Sequence, residues 1–252
     1  MQIKDKVVVI TGGGKGIGRA MAILFASRGA QVALLDINEI DLQQTSRLCN
    51  SHGNQIKTYP CNVAIESEVV ASFDKIAADF GRLDVLVNNA GILRDAMLIK
   101  RDHGQIKKMS LEHWQQVIDV NLTGVFLCGR EAASHMIQFG SGGVIINLSS
   151  ISRAGNIGQS NYAAAKAGVA SLTVVWAKEL ARYGIRTGAI APGFIHTEIL
   201  NSMPEQILQS VLAQVPMRRG GQPEEVAQAA AFIVENDYFS GRVIELDGGL
   251  RL

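Results

Sequence analysis

Cysteine is scarce. The 252 residues contain three, Cys49, Cys61 and Cys128, odd in number, widely spaced and without metal-ligand spacing. That argues against a disulfide framework and against a zinc site, and reads as reduced, structural thiols in a cytoplasmic protein. Neither sign of charge is in excess: 24 Lys and Arg face 23 Asp and Glu, a formal net +1. Composition therefore makes no case for nucleic acid, and no basic face is interleaved with aromatics, which supply only 6% of residues. The short pair Lys107-Lys108 reads as solvated. No apolar run approaches the roughly 18 residues of a membrane span, and the chain opens on a strand-like run rather than on a charged, then apolar leader. No linker rich in proline, glycine or serine interrupts the chain, and no repeat period is visible. His, Cys and carboxylates nowhere gather at ligand spacing, so no metal is expected.

What is present is a hydrophobic fraction of 47% with 26 glycines, the makings of a large core joined by tight turns. Short apolar, β-branched runs near 6–11, 31–36, 55–59, 83–87, 143–148, 185–190 and 242–246 alternate with helical patterns. The helices are expected near 16–29, 38–51, 66–80, 110–138, 161–183 and 223–235. Gly81 and Gly184 sit where C-terminal caps belong, and Pro223-Glu224-Glu225 suits a first helical turn. Seven strands alternating with six helices predict an α/β fold: one Rossmann-type, doubly wound domain over residues 1–252, a parallel sheet flanked by helices.

The run Lys6–Thr11 enters Gly12-Gly13-Gly14-Lys15-Gly16-Ile17-Gly18, and a helical pattern follows at once. Strand, glycine turn and helix in that order are the setting of a dinucleotide fingerprint, in which glycines let backbone N–H groups reach a pyrophosphate. The next strand ends on Asp36, about twenty residues past the glycines, where a carboxylate meets the ribose hydroxyls of NAD.

Tyr162 and Lys166 are four apart and share a helical face. An unperturbed phenol titrates near pH 10; an adjacent ammonium stabilises the phenolate and lowers that pKa toward the working range. Ser149 is placed to hold a substrate oxygen while Tyr162 gives or takes the proton.

Together these motifs resemble the short-chain dehydrogenase/reductase family over the whole length: Thr11-Gly12-x-x-x-Gly16-Ile17-Gly18, Asn88-Asn89-Ala90-Gly91, Asn121 in Val120–Gly124, the Ser149/Tyr162/Lys166 set, and Pro192-Gly193 with Thr197. The resemblance implies that Asn121 anchors a water extending a proton relay from Lys166, that Lys166 binds the nicotinamide ribose, and that Thr197 contacts the carboxamide. It further implies a cofactor site formed by Gly12, Lys15, Gly16, Ile17, Gly18, Asp36, Asn62, Val63, Asn89, Ala90, Gly91, Tyr162, Lys166, Pro192, Gly193, Ile195 and Thr197. Within the family the chain is most similar to the 3-oxoacyl-thioester reductases, through Gly91–Asp95, Gly155–Tyr162, Ala191–Thr197 and Val215-Pro216-Met217-x-Arg219. The expected reaction is NAD(H)-dependent reduction of a 3-oxoacyl thioester. The alternatives are an NAD-dependent secondary alcohol, diol or steroid dehydrogenase, and a non-catalytic NAD(H)-binding scaffold. Similar proteins imply a homotetramer.

Four departures refine the expectation. Many such reductases use NADPH, whose extra phosphate Asp36 would repel; Lys15 pulls the other way, and NAD(H) is expected to prevail. Asn62 replaces a usual aspartate at the adenine. Residues 99–109 form an insertion of about eight residues, read as a hairpin-like excursion near the site mouth. Tyr183 and Gly140 stand where carrier-protein reductases present arginines, which favours a coenzyme A thioester over a carrier-bound one. Residues from Gly193 to Pro216 are expected to act as an irregular lid, with Leu200, Met203, Ile207 and Leu208 covering an apolar group.

Overall fold

The computed structural model describes residues 1–50, 53–201 and 205–252. In chain order the main elements are β1 (Val7–Thr11), α1 (Gly16–Ser27), β2 (Gln31–Asp36), α2 (Glu39–Cys49), β3 (Ile56–Pro60), α3 (Glu66–Phe80) and β4 (Val85–Asn88). Next come β5 (Ile99–Asp102), β6 (Gln105–Lys108), α4 (Leu111–Ile118), α5 (Gly124–Phe139), β7 (Gly143–Leu148), α6 (Ser160–Leu180) and β8 (Ile185–Pro192). The chain closes with α7 (Glu198–Asn201), α8 (Glu205–Leu212), α9 (Pro223–Glu235) and β9 (Arg242–Leu246).

Seven strands form one sheet in the order β3-β2-β1-β4-β7-β8-β9, every pairing parallel. The order reverses at β1, and the gap between β1 and β4 at their C-terminal ends is where such sheets take ligands. The two-residue period of a strand sorts the core into two halves. Val8, Ile10, Val32 and Leu34 face the layer of Met21, Phe25, Ala230 and Ile233, whereas Val9, Ala33, Leu35 and Leu86 face Phe73, Ile76, Val125 and Trp176. No described helix is long and apolar enough to cross a membrane.

The expected caps form. Gly81 and Gly184 adopt left-handed φ of 68° and 70°, and α9 opens with proline and a reciprocal Gln222–Glu225 capping box. Two expectations change. The single helix drawn over 110–138 is broken by a π-helical turn, Asp119–Thr123, which inserts an extra residue at Asn121. The lid is not irregular: it carries α7 and α8. Met203 and the Ser51 end of the second expected helix lie outside the described residues, as does the side chain of Ile207. Residues 99–109 do form a hairpin, β5–β6, closed at His103-Gly104 with φ of 46° and 81°. Those are the two positive values a tight hairpin turn requires.

Candidate active site

Strand β7 ends at Leu148 and the chain stays extended through Ser149 and Ser150 before a turn of 3-10 helix at Ile151–Ala154. Adjacent residues of extended chain point to opposite sides, so only one serine can face Tyr162. Ser149, the expected residue, is the one turned away. Its hydroxyl donates to the Lys166 carbonyl at 2.8 Å, beneath the backbone of α6. The buried Ser150 faces the site instead: its side chain hydrogen-bonds the Tyr162 phenol. The signal was present in the sequence as a serine doublet, but which member points inward depends on where β7 stops.

Tyr162 and Lys166 lie one turn apart on α6, with Lys166 Nζ 5.5 Å from the Tyr162 ring centroid. The ammonium is buried and donates to the Leu148 carbonyl at 2.6 Å. Burial pushes its pKa down to about 8. The depressed phenol expected from the sequence is not found. Burial, the largest cause, pushes Tyr162 up to about 12, the Asp95 carboxylate adds to the rise, and only the Ser150 hydrogen bond opposes them. The reason is geometric: Lys166 spends its shortest contact on a backbone carbonyl and sits over the ring, so its charge does not offset the loss of water around the phenol.

Asn121 is fully buried in the π-helical turn. Its Oδ1 accepts from Ile92 N at 2.8 Å and its Nδ2 donates to Ile92 O at 2.9 Å. This side chain fastens the segment after β4 through both its oxygen and its amide nitrogen. Behind it, Asn88 Nδ2 donates to Asn147 Oδ1 at 2.9 Å, and Asn147 Nδ2 donates to Thr173 Oγ1 at 2.9 Å. This buried polar chain crosses β4, β7 and α6, fixing their relative positions beneath the site.

The glycine loop is braced from three sides. Thr11 Oγ1 accepts from Asn89 N and Ala90 N, and Asn89 Nδ2 donates to the carbonyls of Thr11 and Gly12, all within 3.1 Å. Arg19 folds back to donate to Gly14 O at 2.6 Å, and Thr45 Oγ1 donates to the same oxygen at 2.8 Å. Asp36, at the end of β2, accepts from Gly14 N at 3.1 Å and from Asn38 N at 3.1 Å. A Cβ on Gly18 would come within 2.1 Å of Gly12 O, and one on Gly12, whose φ is +63°, within 2.9 Å of Ala90 Cα. Only glycine lets these backbones approach. Lys15 is exposed at the N-cap of α1 and offers no side-chain cap, so the first N–H groups of that helix stay open to an anion. The cradle fits the pyrophosphate of a dinucleotide, and Asp36 stands beside it for ribose hydroxyls.

The remaining expected cofactor residues converge from distant sequence. Pro192 closes β8, Gly193 N donates to Leu246 O at 2.9 Å, and Ile195 bridges to Gly221. The chain then passes over the glycine loop: Thr197 Cγ2 lies 3.4 Å from where a Cβ on Gly16 would stand. Gly91 abuts Asn121, and Ile17 packs onto the core from α1. Val63 is buried against Gly124. The Asn62 Oδ1 accepts from Ala64 N at 3.0 Å, while its amide NH2 has no partner among the described residues. No metal-binding group of His, Cys, Asp or Glu occurs among the described residues.

Comparison with known proteins agrees with this geometry. The family model described as Enoyl-(Acyl carrier protein) reductase matches residues 12–251. The chain is 41% identical over 252 residues to the 3-oxoacyl-(acyl-carrier-protein) reductase FabG of Thermotoga maritima, covering 99% of each chain. It is 38% identical to the (3R)-3-hydroxyacyl-CoA dehydrogenase of Mus musculus, covering 99% of this chain and 98% of that one. Among solved structures, levodione reductase superposes with a TM-score of 0.88 at 34% identity, covering 98% of this chain and 97% of the other.

Proposed function

The chain belongs to the short-chain dehydrogenase/reductase family and is an oxidoreductase of CH–OH and C=O groups; from that premise we propose that it reduces a 3-oxoacyl thioester to the 3-hydroxyacyl thioester with NADH. The observation that carries the proton-transfer role is the Tyr162 phenol, one turn from Lys166 on α6 with the ammonium 5.5 Å from its ring centroid. Pushed up to about 12, it holds its proton at neutral pH and is ready to donate. The cradle of Gly12, Gly16 and Gly18 would hold a nicotinamide dinucleotide, which would supply the hydride for the carbonyl carbon. Tyr162 delivers its proton to the carbonyl oxygen as charge develops there. Ser150 hydrogen-bonds the same phenol and takes the role expected of Ser149: it steadies the oxygen and the nascent phenolate. Lys166, half a unit of charge at pH values around 8, returns a proton toward Tyr162, and Asn121 anchors the water through which that relay reaches solvent.

The thioester is supported by the names of the two curated relatives, and coenzyme A as carrier by Tyr183 and Gly140 in place of cations. NAD(H) is supported by Asp36 beside the cradle and by Arg19, which is committed to Gly14, Thr45 and Gln44 rather than free for a 2′-phosphate. A homotetramer suits the exposed Phe126 and Val175 on the long helices α5 and α6, and three buried free cysteines suit the cytoplasm. A second reading, a dehydrogenase of secondary alcohols or cyclic ketones, is favoured by the likeness to levodione reductase. A panel of acetoacetyl-CoA, crotonyl-CoA, a cyclic diketone and a secondary alcohol separates them. NADH oxidation fastest with acetoacetyl-CoA is the expected result; preference for the cyclic ketone or for crotonyl-CoA overturns the assignment.

A further inference from the structure

The hairpin β5–β6 takes no part in the proton transfer, yet it holds the largest cationic excess of any ten-residue stretch in the chain. From Ile99 to Lys108 it places Lys100, Arg101, Lys107 and Lys108 against Asp102 alone, a net +3 in a chain whose total is +1. Its residues are exposed except Asp102, which is engaged by Lys107 at 2.6 Å and faced by His103 at 3.7 Å. Lys100, Arg101 and Lys108 have no carboxylate partner among the described residues. The register sets Lys100 directly opposite Lys107, a like-charge pair that weakens the hairpin. Arg101 stands opposite Ile106, and Ile99 opposite Lys108, so apolar and cationic side chains alternate on one face; both isoleucines are 57% exposed. A small solvated hairpin keeps such an arrangement at a cost to its own stability unless an anion relieves it.

Its location says what that anion accompanies. The feet of the hairpin stand on the catalytic helix. Ala96 N donates to Gly158 O at 2.8 Å, and Gln159 Nε2 donates to Asp95 Oδ2 at 3.0 Å. The fully buried Asn161, next to Tyr162, donates to Arg94 O on one side and to His113 O on the other, at 3.0 and 3.1 Å. From these anchors each four-residue strand reaches out by ~13 Å. The surface is too narrow for a stable protein footprint of about 800 Å² per partner. It suits the phosphates and purine of one nucleotide, with cations for the former and isoleucines for the latter.

We propose that this hairpin binds the phosphorylated nucleotide end of a coenzyme A thioester, so that the pantetheine arm runs from the hairpin to Tyr162. The proposal deepens the thioester reading and rests on it. Its test compares the wild type with the exposed-charge variant K100Q/R101Q/K107Q/K108Q. Free coenzyme A is titrated calorimetrically at saturating NADH, which keeps the glycine cradle filled, and KM and kcat are measured with acetoacetyl-CoA and with acetoacetyl-pantetheine. The variant is expected to bind coenzyme A at least about tenfold more weakly and to raise KM for acetoacetyl-CoA to match, both effects shrinking with added salt. Turnover of acetoacetyl-pantetheine should stay unchanged. Equal losses on both substrates, an unchanged coenzyme A affinity, or a change only in oligomeric state by light scattering overturns the proposal. So does a preference for acyl carrier protein that the variant abolishes. If neither thioester is reduced while another ketone is, the thioester reading falls alone. The free coenzyme A titration then still decides the hairpin: binding that the variant loses supports a nucleotide arm, and no binding to the wild type ends it.

Discussion

Replacing each serine of the doublet separately tests the site assignment most sharply, because the two changes cost similar stability and differ in chemistry. Ser149→Ala removes one neutral hydrogen bond to the Lys166 carbonyl, worth about 1 kcal/mol. Ser150→Ala removes the side-chain acceptor for Ser152 N, a cap also worth about 1 kcal/mol. Both should lower Tm by roughly 2–4 °C for a chain of this size. Only Ser150 touches the Tyr162 phenol, and it is too buried for water to replace its hydroxyl. Losing one preorganised donor at the reacting oxygen costs roughly 2.7–4 kcal/mol, or 10²–10³ in kcat. NADH oxidation at saturating acetoacetyl-CoA should therefore fall at least a hundredfold in Ser150→Ala and stay within about threefold of wild type in Ser149→Ala. Because Ser150 is the one group that lowers the phenol pKa, its loss should also move the alkaline limb of the reductive pH profile upward. A hundredfold loss in Ser149→Ala beside near-normal Ser150→Ala would refute the argument and return the role to Ser149.

Four further outcomes follow from the same geometry. Tyr162→Phe deletes the proton donor and should cut kcat by about 10³-fold while leaving the NADH dissociation constant, followed by fluorescence, nearly unchanged. Asp36→Asn removes a carboxylate that would face a 2′-phosphate; a repulsion of up to about 4 kcal/mol at 4 Å in a half-screened site should ease enough to raise kcat/KM with NADPH at least about tenfold. Gly18→Ala drives a methyl into Gly12 O and should abolish measurable dinucleotide binding while the circular dichroism spectrum stays folded. Lys166 has a folded pKa depressed to about 8, so the unfolded chain binds the extra proton between about pH 8 and 10.4. Urea midpoints of the wild type, relative to Lys166→Met, should accordingly rise across that window and run parallel below it.

The sheet was legible because a buried parallel strand is written as a short β-branched run, and seven of those runs are unambiguous in this chain. The tight glycine turn was legible for a different reason: Gly12 and Gly18 carry a steric demand that no other residue meets, so their spacing is the geometry. What escaped the sequence lies where a shift of one residue changes the direction of a side chain. The helical period over 110–138 is continuous through Asn121, and nothing in it marks the extra residue that the π-helical turn inserts. The serine doublet is of the same kind, since the end of β7 decides which hydroxyl looks inward. The phenol escaped on other grounds. Spacing places Lys166 beside Tyr162, but the sign of the pKa shift is set by competition between one charge and the loss of water, and here Lys166 gives its nearest oxygen contact to Leu148. A tyrosine that keeps its proton until its surroundings change suits an enzyme that should donate only once substrate and cofactor complete the site. Burial here acts as the brake that the neighbouring ammonium was expected to release.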